Sequence, residues 1–348
     1  LSAPLRVLIA LAAATGLASA AAGQVPTRVV EDSAGRRVEV PARIERVFPA
    51  GAPATILVYA VAPDRLLGWV RPLSSKEREW VPERYAALPA LGRLTGRGNT
   101  ANVEAVLAAR ADVVLDYGQV GPTYVSLAER VQHQTRVPVV LFDGRLSALP
   151  RVLEQVGDML GVPDRGRQMA RYAVRVLADV DQRVARVPAE RRPHVYYGRG
   201  PGGLETGLPG AINVESFERL GARNVAVERA GGLVRVSIEQ VLAWDPEVIV
   251  TIDPEFAAAV QREPVWRGVR AVRDGRVYLA PILPFPWLDF PPSVNRLIGL
   301  KWLGRVLYPD LFPEDLRAEA RAFYELFYHR APDERQLDTL LGAAPPRR

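Results

Sequence analysis

Cysteine is absent from the 348-residue chain, and histidine occurs three times, at His133, His194 and His329, far apart in sequence. The first absence excludes disulfides, thiolate zinc sites and cysteine nucleophiles. The scarcity of imidazole leaves few places for histidine acid–base chemistry or a His-rich metal site. Lysine is nearly missing too: Lys76 and Lys301 stand alone among 45 basic residues, the rest being arginine. Those arginines are interleaved with 39 acidic residues, the net charge is +6, and no long basic run occurs. Nucleic-acid binding is therefore disfavoured. No apolar run reaches the roughly 20 residues that a bilayer-spanning helix needs. G-x-S-x-G and H-E-x-x-H do not occur, and no spacing of Ser, His and Asp singles out a triad.

What is present is ordinary globular material, 48% hydrophobic and 24% charged, at a length that suggests two domains of about 150 residues each. The amino end places Arg6 before an apolar run over 7–17 and then Ala18-Ser19-Ala20 and Ala21-Ala22. A short positive segment, an apolar stretch and an A-x-A site predict a cleavable signal peptide over 1–22, cut after Ala20 or Ala22. No Cys follows the cleavage site to carry a lipid. The expectation is a soluble protein of the periplasm.

Along the mature chain, 28–32 and 37–40 read as a hairpin around Ser33-Ala34-Gly35-Arg36. Strands at 46–49, 65–70, 112–117 and 138–142 alternate with helices at 52–62, 103–109 and 124–134, the signature of a parallel α/β layer. After a helix at 151–160, Gly161-Val162-Pro163 interrupts and Asp164 is placed as the cap of the next one. Apolar Met169, Tyr172, Val176, Val180 and Val184 recur in steps of three and four, predicting one long amphipathic helix over 164–186. The alternation resumes with strands at 194–197, 247–252 and 276–279, helices at 211–220 and 238–244, and a helical carboxyl end. The expected fold class is α/β, with two parallel-sheet lobes joined by a single long helix. The segments are a lobe at 23–146, a helical connection at 147–187, and a second lobe with a helical tail at 188–348.

An internal echo supports two lobes. Asn102-Val-Glu-Ala-Val-Leu-Ala-Ala-Arg-Ala-Asp-Val-Val-Leu aligns without gaps, 135 residues on, with Ser237-Ile-Glu-Gln-Val-Leu-Ala-Trp-Asp-Pro-Glu-Val-Ile-Val. It places Glu104 and Glu239 at equivalent points in a first helical turn. There each complements the helix dipole, or else presents one carboxylate per lobe to a pair of identical basic partners. Gly198-Arg-Gly-Pro-Gly-Gly203 satisfies the dinucleotide fingerprint G-x-G-x-x-G. Thr206-Gly-Leu-Pro-Gly210 follows where a phosphate-binding helix would have to start, so the loop is read as backbone free to approach a ligand or as a plain surface loop.

In their order and spacing, these residues resemble the periplasmic substrate-binding proteins of ABC importers for iron–siderophore complexes, haem and cobalamin. The resemblance is carried by Asp32-Ser-Ala-Gly35 leading to Pro41 and Arg46-Val47, and by Asn102-Val-Glu104 with Asp112-Val-Val-Leu115. It continues through the long helix, Thr206-Gly207, the 215–224 stretch, Ser237-Ile-Glu239, Trp266, and Val272-Arg-Asp-Gly-Arg-Val-Tyr278. It implies a ligand held between the lobes, and Glu104 and Glu239 docking on arginines of the two permease subunits. A helical strut implies that opening is small. It further suggests cleft positions for Gly51, Tyr117, and Tyr197 with its glycine loop. Arg71 and Arg199 are candidate anion contacts, and Trp287 and Asp289 sit in the rigid loop Pro284-Phe-Pro-Trp-Leu-Asp-Phe-Pro-Pro292. No catalytic residue, metal ligand or cofactor is expected, and the protein is expected to be monomeric. The scarcity of histidine points to a chelated metal rather than a bare one. Iron–siderophore is the first expectation for cargo, with cobalamin, haem or an oxyanion such as molybdate open. The competing class is an exported α/β enzyme.

Overall fold

The structure, a computed structural model, describes residues 26–96, 103–227 and 231–342, so the expected signal peptide lies outside the described residues. Strands β1 (Thr27–Glu31) and β2 (Arg37–Pro41) form the expected antiparallel hairpin. Asp32 holds its turn: Oδ1 accepts from the amides of Ala34 and Arg36, and Oδ2 receives the Arg36 guanidinium. The same Oδ2 accepts from the Leu141 amide, which pins the hairpin to the first sheet.

That sheet is β3 (Val47–Pro49), β4 (Val113–Gly118) and β5 (Val139–Asp143), parallel throughout. β3 and β5 are fully buried and β4 almost so, the near-continuous apolar pattern of a sheet covered on both faces. The second sheet contains β6 (His194–Gly198), β8 (Arg223–Asn224), β10 (Val248–Thr251) and β11 (Val277–Leu279), in the order β11-β10-β6-β8 and also parallel. Beside it β7 (Glu205–Gly207) and β9 (Leu233–Arg235) pair antiparallel. Among the described residues no strand pairing joins the two main sheets.

The connection is the helix Pro163–Val184, whose buried stripe includes Met169, Tyr172, Val176, Val180 and Val184. Its cap differs from expectation. Val162 is the N-cap, Pro163 opens the helix, and Asp164 lies inside the first turn, 2.5 Å from Arg167. Proline at the first helical position costs no hydrogen bond, because that N–H would have no partner. Against this helix, Leu149–Met159 packs backbone to backbone. A Cβ on Gly166 would come within 2.7 Å of the Leu153 carbonyl oxygen and 3.0 Å of Gly157 Cα.

Three departures from the sequence reading have local causes. Residues 65–70 form isolated bridges, Val47 to Leu66 and Trp69 to Ala90, rather than a strand. Here the chain runs against 89–91 so closely that a Cβ on Gly68 would meet the Pro89 oxygen at 2.4 Å. The helix expected at 211–220 shortens to Glu215–Arg219, after successive turns at 208–214. And the helical tail, grouped by the sequence with the second lobe, returns to the first. Helix Leu316–Tyr328 packs on helix Ala52–Val61, with the Tyr59 hydroxyl donating to the Tyr328 carbonyl at 2.6 Å. Arg165 of the connecting helix donates to the Ala60 and Leu326 carbonyls, near the carboxyl ends of both helices. One apolar core consequently runs from Leu57 through Met169 to Leu303 and Phe323, while each lobe keeps a smaller cluster on its outer face.

Candidate functional site

Parallel α/β sheets present ligands at the carboxyl ends of their strands. At that end of β6, Arg199 is buried beside two carboxylates, an ion pair with Glu205 and a 2.9 Å approach of Nε to Asp289 Oδ2. Asp289, fully buried, is the hub. It accepts from the Asn213 side-chain amide (2.7 Å), from the Phe290 amide (2.7 Å) and from the Tyr197 hydroxyl (3.2 Å). Burial, with Asp289 next to it, raises the Tyr197 hydroxyl well above its ordinary value, so it stays a proton donor. A buried guanidinium needs such partners, since an unpaired one would cost several kcal/mol, about the effective desolvation penalty per ion.

A second cluster crosses between the lobes. The Glu215 carboxylate accepts from the Leu146 amide at 2.9 Å and from Arg296, wholly buried, at 2.7 Å. Arg296 also donates to the Gly144 carbonyl, which lies 3.4 Å from the Tyr117 hydroxyl. Burial pushes that hydroxyl up to about 12, with Arg296 opposing. Only glycine fits at 144, because a Cβ there would sit 2.7 Å from Gly118 Cα and 2.9 Å from Ile212 Cδ1 of the other lobe.

In the first lobe, Gly51 caps helix Ala52–Val61, and a Cβ on it would meet Thr95 Oγ1 at 2.6 Å. Thr95 donates to Asp116 at 3.2 Å, and the Tyr117 amide donates to the same oxygen at 2.9 Å. Burial pushes Asp116 up to about 6 against these two bonds. Gly118 and Gly121 in this lobe, and Gly200 and Gly202 in the other, have open space where a Cβ would stand.

The structure thus brings Gly51, Tyr117, Tyr197, Arg199 and Asp289 to the strand ends, although both tyrosine rings belong to the shared core. Two other residues are engaged otherwise. Arg71 is engaged by Glu77, at 2.5 and 2.8 Å, inside the Ser74 capping box. Trp287, expected on the cleft, is wholly buried, its indole donating to Tyr324 at 3.0 Å and its carbonyl against Gly299. The proline-rich loop turns that ring into the core and leaves Asp289 toward Arg199. The glycine motif at 198–203 does not open a helix. Arg199 bridges back to Glu205, and a Cβ on Gly203 would strike the Phe256 ring at 2.3 Å, so packing explains that glycine. Asn213, Glu215, Asp116 and Arg296 escaped the sequence reading. For Arg296, nothing local in the sequence marks it as buried.

The internal echo is structural. β4 and β10 begin 135 residues apart, and Arg110 and Asp245, the same distance apart, both take left-handed backbone. Asp112 accepts from the Arg46 amide, and Glu247 from the His194 amide, each leading into the neighbouring strand. Glu104 and Glu239 occupy first turns of equivalent helices, Val103–Ala108 and Ile238–Trp244. Ser237 caps the latter and, by hydrogen bonding, holds the exposed Glu239 below the usual carboxylate range. Its counterpart Asn102 lies outside the described residues. Two open depressions occur, one lined by Leu208, Gln240 and Trp244, the other by Trp80, Leu283 and Gln336. Among the described residues no group of three or more His, Asp or Glu could hold a metal ion.

A family model described as periplasmic binding protein matches residues 76–282. The chain belongs to that family. This periplasmic binding protein is 26% identical to the molybdate-binding protein MolA of Haemophilus influenzae, over 90% of this chain and 94% of that one. The structure of an ABC transporter solute binding protein from Sulfurospirillum deleyianum superposes with a TM-score of 0.82 at 28% identity, covering 90% of this chain and 99% of that one. A periplasmic haem-binding protein from Pseudomonas aeruginosa gives a TM-score of 0.59 at 25% identity, over 77% and 94%. Family membership makes the chain a solute-binding protein of the ABC-transporter type, with two parallel-sheet lobes on one connecting helix. No helix among the described residues is long and apolar enough to cross a membrane.

Proposed function

We propose that this periplasmic binding protein captures a compact oxyanion of the molybdate class between its lobes and delivers it, without chemical conversion, to an ABC permease. The observation that carries the reading is the pair of strand-end regions. One holds a buried arginine, Arg199, beside Glu205 and Asp289, and both carry glycines with open space where a side chain would be, at Gly118 and Gly121 and at Gly200 and Gly202. Tetrahedral oxyanions are bound by such N–H donors with little need for a large cavity. Similarity to a molybdate-binding protein along nearly the whole chain supports the same choice. Delivery would use Glu104 and Glu239 against basic residues of two permease subunits, and export would use the 1–22 signal.

Isothermal titration of the purified protein tests the reading. Molybdate and tungstate should bind with 1:1 stoichiometry and raise the Tm, and Arg199→Gln should weaken both. Iron–siderophore, haem and cobalamin are titrated alongside. Binding of one of these, with no heat from molybdate or tungstate, would overturn the oxyanion assignment and restore the chelate expected first. Turnover of any bound compound would favour the exported enzyme instead.

A further inference from the structure

Phe290 combines three features that are individually unfavourable or rare. Its side chain is 67% exposed, its backbone takes the left-handed φ of +60° that favours glycine, and its ring lies over the buried Arg199 guanidinium at 5.7 Å. An exposed aromatic in strained backbone is kept only where its surroundings over-determine it. They do so here. The Phe290 amide donates to Asp289 Oδ1 at 2.7 Å, and Asp289 is the carboxylate that also holds Arg199 and Tyr197. Behind it, Asn295 donates to the Pro286 and Pro291 carbonyls, and Ser293 donates to the Pro53 carbonyl of the first lobe at 3.0 Å. Nothing in the packing of the core uses this ring.

We infer that Phe290 is a specificity-determining residue of the solute site, an aromatic rim that lies on Arg199 and keeps water from its planar face. This rests on the inter-lobe reading of the site and adds a residue to it. Glu205 and Asp289 already hold Nη1 and Nε of this guanidinium, so a ring on its face, by excluding water, strengthens those bonds and leaves only the rest of the edge for the solute. The rim also limits size on that side. A compact solute is favoured over a bulkier or more strongly hydrated one.

The test compares the wild type with Phe290→Ala and Phe290→Tyr by titration with molybdate, tungstate, sulfate, phosphate, a ferric siderophore, haem and cobalamin. Phe290→Ala should bind the preferred solute about tenfold more weakly and lose discrimination against its nearest competitor by a similar factor. Phe290→Tyr should retain both, and the apo Tm of Phe290→Ala should not fall. Unchanged discrimination in Phe290→Ala overturns the inference. If the wild type prefers a chelate, the oxyanion reading fails while the role of Phe290 is decided on that chelate. A solute-free readout stands beside these: phenylglyoxal should modify Arg199 faster in Phe290→Ala, scored by peptide mass. Equal rates overturn the inference, and this readout decides alone if no compound in the panel binds.

Discussion

His329 joins three parts of the molecule, and its titration should be visible in global stability. Its Nε2 lies 2.8 Å from the Tyr59 carbonyl, so that nitrogen carries the proton, and Nδ1 faces an Arg165 nitrogen at 3.3 Å. Protonating Nδ1 would remove an acceptor from Arg165 and set a second cation beside it. Burial, and next the Arg165 charge, push the imidazole down to about 4. Because the folded-state value lies below the unfolded one, near 6.5, the stabilisation is complete above pH 6.5 and is lost as the pH falls through 4. The full difference corresponds to about 3 kcal/mol, and solvent screening of this part-buried ring brings it to about 2. His329→Asn is the suitable variant, since residue 329 has a φ of +61° and asparagine tolerates left-handed backbone. At pH 7.5 the variant should be less stable by about 1 kcal/mol, for the lost hydrogen bond. In urea titrations from pH 7.5 to 4, the wild type should then lose about 2 kcal/mol that the variant does not. Parallel pH profiles for the two proteins would refute the reasoning, and with it the role of the Arg165 junction in tying the tail to the first lobe.

Asp116 should act in the opposite sense. Its folded-state value is raised to about 6, so its contribution is present below the unfolded value near 3.8 and is lost as the pH rises through 6. Relative to wild type, Asp116→Asn should gain up to about 3 kcal/mol between pH 4 and pH 8, read by the same titrations. Gly166→Ala should cost about 2 kcal/mol, because its Cβ would meet the backbone of the preceding helix, and thermal melts would show it. Glu215→Gln leaves the buried Arg296 without its carboxylate and should cost about 3 kcal/mol in urea unfolding. Replacing Glu104 and Glu239 together by Arg should abolish transport into cells or vesicles while the solute Kd stays within about twofold. A collapse of affinity would instead place these residues in the binding machinery.

Much of the fold was legible because its signals are local. Strand and helix alternation, the Ser237 cap with Glu239 two residues on, and the three-and-four spacing from Met169 to Val184 each depend on neighbours within a few positions. The 135-residue echo was legible for the same reason, each copy being a self-contained cap, helix, turn and strand. At the site, the sequence could nominate residue types near strand ends and in the proline-rich loop, which is how Gly51, Tyr197, Arg199 and Asp289 became candidates. Tertiary structure decided what those residues touch. Asp289 takes Asn213 and Arg199 as partners from 76 and 90 positions away, and Arg296 meets Gly144 from 152 away. No periodicity encodes contacts of that separation. The same holds for Trp287, whose aromatic loop offered two directions for the ring until the tail helix, carrying Tyr324, supplied a buried partner. Local hydrogen bonding and side-chain period fixed the elements, and burial across the two lobes chose which of their residues meet one another.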